Sequence, residues 1–318
     1  MFIAPSYLCS KMVTGNPKIS VVICTYNRDC YLTGALDSLS TQTIGTENYE
    51  VIIVNNASTD DTATVCRMYL TEHPEAPITY LEENCQGASF ARNTGAAAAR
   101  APLLCFMDDD AVAKQDYIER ILAFFQEVPG AGGLGGRIIP RYIPAEPAWM
   151  SHYVSSLVGH FHYSNERSAF SGGKYPLESN MIVRTEDFRE IGGFSSALPG
   201  VVGSVRIGGE GKDLFYRLMQ LGRFIYYDPT VVVEHVVETE KLTPAYLYRV
   251  ASGIGRGERV RIEKKGWPAL LFKTIEYLFK LGAAIVLGMG YALQGNPAKT
   301  MPVIQFRIDA LKGLFNQP

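Results

Sequence analysis

Asp108, Asp109 and Asp110 stand consecutively at the end of the apolar run Leu103-Leu104-Cys105-Phe106-Met107. Three adjacent carboxylates repel one another, so something cationic should offset that cost. Alternate side chains of an extended segment point the same way, which lets Asp108 and Asp110 face one side. Two such carboxylates suit a hard divalent ion, Mg2+ or Mn2+, held together with substrate phosphates. A solvated acidic turn that caps a helix starting near Gln115 would account for the triplet as well. So would the D-x-D-x-[TV] pattern of an aspartyl-nucleophile phosphatase, with Asp108 as nucleophile and Asp110 as acid/base. Such sites use the first strand of their domain, whereas this run is the fourth.

The elements that would carry these residues follow from periodicity. Residues 19–24 are a β-rich run that opens into the polar turn Thr25-Tyr26-Asn27-Arg28. Leu32, Leu36 and Leu39 have helical spacing within 31–41. A second strand covers 50–54; residues 55–60 follow as a loop and cap for a helix over 62–70. A weaker strand over 78–81 precedes an Ala-rich helix over 87–100 and the strand 103–107. Near-continuous apolar strands alternating with helices predict an α/β fold, with a mostly parallel, Rossmann-like sheet covered on both faces. Ligands of such sheets bind outside the carboxyl ends of the strands. The clusters 25–28, 55–60 and 108–110 all lie at such ends, which predicts one site assembled from three loops. After Phe125 the pattern loosens. Five glycines within 130–136, with Pro140, Pro144 and Pro147, imply irregular structure. An ordered block over 177–237 closes with a strand pair, 223–227 and 230–236, about the turn Asp228-Pro229.

The motifs ISVVICTYNR, YEVIIVNNASTDDT, NCQGASFARNTGAAAA and FMDDDA, followed by ESNMIVRTEDFREIGGFSS and GGEGKDLFYRL, resemble family 2 glycosyltransferases of the GT-A fold in order and spacing. The resemblance covers roughly 17–240. The stretch from His235 through LTPAYLYRVASGIGRG is similar to bacterial members that build surface polysaccharides. A nucleoside-diphosphate sugar donor is implied, usually a uridine or guanosine diphosphate sugar and more often the former. Thr25 and Tyr26 would border the base, with Asn27 and Arg28 nearby and Asn56 at the base or ribose. The family more often carries Asp at position 55 or 56. Arg92 would lie where a helix closes over the nucleotide, beside Asn93. Asp108 and Asp109 would face the nucleotide, Asp108 at the ribose, and Asp110 would hold a metal bridging the diphosphate. His235 could complete the ligand set.

Transfer by direct displacement needs a carboxylate to take the acceptor's proton. The family supplies it from an acidic pair before a helix, and here the second acid of that pair is Gly211. Glu210 is then the first candidate for the base and Asp213 the second. Arg217 lies four residues beyond Asp213, at the spacing of an intrahelical pair. Asn180 is a candidate for acceptor contact. Inversion at the anomeric carbon is implied by the resemblance. Two other classes remain open: a non-catalytic sugar-nucleotide-binding relative, because of Gly211, and a nucleotidyltransferase, although residues 25–28 are not the Gly-rich basic loop it would need.

Composition sets the boundaries. The chain has 318 residues, 30 Lys+Arg and 32 Asp+Glu, for a net charge of −2. Residues 241–318 hold 12 basic and 4 acidic side chains, a local charge of +8; the remainder hold 18 and 28, a charge of −10. With 47% apolar and 19% charged residues the chain can bury a large core. The overall charge balance gives no ground for a nucleic-acid partner. Six cysteines without a C-x-x-C pair read as reduced thiols of a cytosolic domain, and no secretory signal opens the chain. The expected organisation is an N-terminal extension (1–16), a GT-A domain (17–240) and a basic, apolar, helical tail (241–318). The domain divides into a nucleotide-sugar half (17–128) and an acceptor half (129–240), the latter meeting a glycan or lipid-linked hydroxyl. Arg256, Arg259, Arg261, Lys264 and Lys265 precede Trp267 and an apolar stretch to Leu293, so the tail is read as an interfacial, spanning or packed helix. Contact with anionic lipid would put the enzyme at the inner, cytoplasmic face of the cell membrane.

Overall fold

The computed structural model describes residues 8–9 and 15–316, so most of the expected extension 1–16 lies outside the described residues. Leu8–Cys9 forms β1. Then follow β2 (Ile19–Thr25), α1 (Asp29–Ser40), β3 (Tyr49–Asn55), α2 (Thr62–Glu72), β4 (Ile78–Glu82), α3 (Ala88–Ala98) and β5 (Leu103–Asp108). After a short β6 (Ala111–Ala113) come α4 (Tyr117–Glu127), β7 (Ala131–Tyr142), α5 (His152–Ser155), β8 (Ser168–Ala169), β9 (Met181–Arg184) and α6 (Thr185–Glu190). The chain continues through β10 (Gly200–Val202), β11 (Val205–Ile207), α7 (Glu210–Gln220), β12 (Phe224–Val237), α8 (Pro244–Ile262), α9 (Gly266–Leu293) and α10 (Thr300–Phe315).

The main sheet runs β1-β4-β3-β2-β5-β9-β7-β12-β6, with β8 beside β12. Strands β4, β3, β2 and β5 are parallel, and β5 meets β9 antiparallel. The parallel part is the one whose strands are apolar throughout, because helices cover both of its faces. Val21 and Ile23 pack with Leu32, Leu36, Ile118 and Phe124 on one face. Val22, between them in sequence, packs with Ala91, Ala96, Phe188, Leu214 and Phe215 on the other. Register puts Thr25 opposite Asn55, and Cys24 opposite Asp108, so the three polar loops leave the sheet at one level.

Two features depart from expectation. The glycine-rich stretch is strand, not irregular chain: β7 spans Ala131–Tyr142. Its glycines let neighbours come close where a side chain would not fit. A Cβ on Gly136 would fall 2.1 Å from the Val231 carbonyl oxygen and 2.3 Å from Asn180 Nδ2. Residues 224–237 form one strand rather than a pair about a turn. Pro229 lacks an N–H, yet it falls outside the stretches of β12 paired with β8 and β6. Asp228 accepts hydrogen bonds from the Thr230 amide and hydroxyl and from Arg167, which satisfies the segment without a reversal.

Contacts divide the chain into two compact units. The first holds the main sheet and its covering helices, up to Ile139 with Phe161–Ser195 and Gly211–His235; the second holds Pro140–His160, Ser196–Glu210 and the chain from Val236 onward. In the second, α8, α9 and α10 close around Val250, Tyr277, Ala284, Phe306 and Leu314, with Met150 and Val154 joining them. The buried Glu258 is paired with Arg261 at 2.8 Å and Lys273 at 3.2 Å. The uncharged run 281–298 is not one helix: α9 ends at Leu293, and Gly295 turns the chain with φ +78°.

Gly136→Ala should lower unfolding free energy by about 1–3 kcal/mol, the range for forcing carbon into a filled space. Gly130→Ala, whose Cβ would meet nothing within 4 Å, should change it by less than about 0.5 kcal/mol. Urea unfolding of the two variants compares them directly.

Candidate active site

The loops at the ends of β2 and β3 are tied to each other. Asn27 takes φ 53°, a left-handed conformation that Asn tolerates better than most residues. Its amide N–H donates to Ser58 Oγ (3.0 Å), and its Oδ1 accepts from the Thr59 N–H (2.8 Å). The Arg28 N–H donates to Thr62 Oγ1 at 3.0 Å. Thr25 is buried at the strand end and Tyr26 is half-buried beside it.

The Asn56 side chain is engaged by the scaffold. Its Nδ2 donates to the carbonyls of Glu83 (3.1 Å) and Cys85 (2.8 Å), and its Oδ1 accepts from the Gly87 N–H at 2.7 Å. The side chain is buried and sets the entry of the loop into α3. Asparagine alone among the acid/amide pair can do this, because two of the three bonds need a donor. That explains Asn where relatives more often have Asp.

Asp108, Asp110 and His235 come together, each offering one ligand atom, with those atoms all within 4.8 Å of one another. His235 Nε2 is 3.0 Å from Asp110 Oδ1 and 3.9 Å from Asp108 Oδ2. The antiparallel ladder of β12 and β6 makes this possible by setting His235 opposite Ala111, next to Asp110. Asp109 is outside this group. Burial, with the Asp110 carboxylate beside it, pushes its carboxyl up to about 8. Two guanidinium groups answer the acids: Arg28 lies 3.9 Å from Asp110 and the buried Arg92 lies 3.6 Å from Asp108. Arg92 also stacks over Phe194, 5.5 Å from the ring centre. Ser179 Oγ donates a short hydrogen bond to Asp108 Oδ2. The sequence held no signal for Ser179; its place follows from the antiparallel pairing of β9 with β5.

On the acceptor side the expectations divide. Asn180 is fully buried, and its amide is committed to the core. It donates to the carbonyls of Arg137 and Val231 at 3.1 and 3.0 Å, and accepts from Tyr117 Oη at 2.9 Å. It ties β7, β12 and α4 together. Asp213 pairs with Arg217 at 2.8 Å, at the expected spacing. Arg217 also donates to the carbonyls of Ile191 and Gly193, so Asp213 orients a clamp on that turn. Glu210 is buried at the first position of α7.

The fold is that of GT-A glycosyltransferases: an α/β sheet, parallel at its centre, with acids gathered at a strand's carboxyl end and a helical C-terminal region. A mannosyltransferase from Pyrobaculum calidifontis, solved with GDP-Man and Mn2+, superposes with a TM-score of 0.66 at 19% identity, over 96% of this chain and 90% of that one. Residues 1–349 of S. aureus TarS, solved with UDP-GlcNAc, superpose with a TM-score of 0.56 at 15% identity, over 93% and 89%. The family model for glycosyl transferase family 2 matches residues 20–192, more than half of the chain. The chain belongs to that family. The minor teichoic acid biosynthesis protein GgaB of Bacillus subtilis is 37% identical over 112 residues, and a validoxylamine A glucosyltransferase of Streptomyces hygroscopicus is 39% identical over 107. Those stretches are 35% and 34% of this chain but only 12% and 23% of the relatives' own lengths.

Asn56→Asp should destabilise the protein by about 2 kcal/mol or more, since two buried carbonyls lose their donors and face a carboxylate. Thermal unfolding measures it; a melting temperature equal to wild type would return Asn56 to the list of ligand contacts.

Proposed function

We propose that the chain transfers a hexosyl group from a nucleoside-diphosphate sugar to a hydroxyl of a glycan or lipid-linked acceptor, with inversion, in polysaccharide biosynthesis. The carrying observation is the Asp108–Asp110–His235 group at the end of β5. Residues 17–240 would form the catalytic domain, with 17–128 serving the donor and 129–240 the acceptor. Two carboxylates and an imidazole are a donor set that fits Mn2+ or Mg2+. When bound, the ion offsets negative charge on the departing nucleoside diphosphate. Thr25, Tyr26 and Asn27 border the base in this reading, and Asp108 meets the ribose. Arg28 and Arg92, each already beside a carboxylate, are the cations available to the diphosphate. The likeness to structures holding GDP-Man and UDP-GlcNAc supports a nucleotide-sugar donor. The pairing of Asp213 with Arg217 disfavours Asp213 as the base.

Asp110→Ala should abolish the Mn2+-dependent rise in melting temperature that the preferred donor produces, tested over UDP-glucose, UDP-GlcNAc and GDP-mannose. At saturating ligand that rise reflects binding to the folded state alone. Unchanged stabilisation would remove Asp110 from the metal site.

The same reading puts the enzyme at the inner membrane surface. Among the described residues no helix is long and apolar enough to cross a membrane. α9 instead carries an exposed apolar face: Phe272, Phe279, Val286 and Leu293 recur every seventh residue at 70%, 77%, 65% and 90% exposure, with Trp267 at 74%. Its opposite face, through Tyr277, Ala284 and Gly288, is buried. The exposed Lys264 and Lys265 stand at the start of the helix. An aromatic, apolar stripe with a basic end fits the interface of an anionic bilayer. Phe272→Ser/Phe279→Ser should cut co-sedimentation with phosphatidylglycerol-containing vesicles by about tenfold or more, from the apolar area removed. Equal sedimentation of variant and wild type would sink the membrane assignment.

A further inference from the structure

The family pattern calls for two acids at the start of α7, and the second position is Gly211. The space that a side chain at 211 would enter is filled. A Cβ there would fall 2.6 Å from Glu178 Oε1 and 2.9 Å from its Cδ. The Gly211 N–H donates to the same Oε1 at 3.1 Å. A side chain at 211 would have to displace the Glu178 carboxylate, the flexible group that now fills that space.

Glu178 reaches this spot from a distant segment that is itself fixed. The turn Glu178–Asn180 precedes β9. Its three side chains go three ways. Asn180 is anchored in the core, Ser179 donates to Asp108 of the candidate metal group, and Glu178 lies against the first turn of α7. The turn thus joins the acids at the end of β5 to the start of the helix where the missing acid belongs. Glu178 is half-buried.

We propose that Glu178 is the general base of the transferase, supplying from the β9 turn the carboxylate that position 211 lacks. This inference rests on the transferase reading given above. In the step it serves, the acceptor oxygen forms a bond to the anomeric carbon. The bond from that carbon to the β-phosphate oxygen breaks with its electron pair remaining on the nucleoside diphosphate. The acceptor hydroxyl proton passes to the Glu178 carboxylate. Glu210 keeps the place of the first acid of the pair.

The test uses the full chain with Mn2+, the donor that stabilises wild type most among UDP-glucose, UDP-GlcNAc and GDP-mannose, and octyl glucoside or water as acceptor. Glu178→Gln keeps an oxygen for the Gly211 N–H but cannot take a proton. It should retain donor-induced stabilisation and lose about 10²–10⁴-fold in nucleoside-diphosphate release, the usual contribution of a general base. Glu178→Ala should lose as much, and Glu178→Ala/Gly211→Asp should recover at least about tenfold of it, since the acid returns to the vacated space. A merely structural role for Glu178 would not give that rescue. Wild-type release matched by Glu178→Gln, or no rescue in the double variant, overturns the inference and leaves the transferase reading standing. A wild-type chain that no donor stabilises, or that releases nothing, overturns the transferase reading and the inference with it.

Discussion

Three consecutive carboxylates at the end of a buried strand are the constraint around which the first unit is arranged. β5 is central in the sheet, so Asp108–Asp110 leave the core where like charges are costly. The neighbours of that strand end all answer this. Arg28 comes from the turn after β2, and Arg92 from the helix that follows β4. Ser179 comes from the turn before β9, and His235 from β12 through its ladder with β6. Five separated stretches of chain meet there because each ends, or is paired, at the same level of the sheet. Asp109, buried beside Asp110, is raised to about 8, whereas Asp110 has an imidazole at 3.0 Å. One acid of the triplet is thus spent on the interior while the two that alternate with it stay grouped.

What the sequence made legible was local. Strands 19–24, 50–54 and 103–107 were readable because parallel strands covered on both faces must be apolar without interruption. The polar clusters were readable by their place, since ligands of such sheets bind outside the carboxyl ends of the strands. Pairing of Asp213 with Arg217 follows from helical spacing alone. The candidate metal group was legible in Asp108 and Asp110 by period-two alternation, and in His235 only through family resemblance, because its approach depends on the register of β12 and β6.

What stayed hidden depends on partners remote in sequence. Asn56 and Asn180 looked like polar loop residues, and their buried amides are instead consumed by backbone carbonyls and a tyrosine on other elements. β7 was unreadable because its four glycines carry no periodicity; the space that excludes a side chain at Gly136 is made by Val231 and Asn180, about 95 and 44 residues away in sequence. Pro229 read as a turn because the pairings of β12 with β8 and β6 on either side of it cannot be seen in one segment.

Gly211 combines both cases. Read within its motif, the glycine is a lost acid and grounds for doubting catalysis. Read in three dimensions, it leaves the Glu178 carboxylate, 33 residues earlier in the chain, undisturbed against the start of α7. A chemical requirement is met at a point in space, not at a position in a motif. Any backbone that comes near can meet it, provided the original position gives up its own side chain. A carboxylate at 178 and a side chain at 211 compete for one space, so the glycine at 211 and the acid at 178 are linked features of one place in the fold.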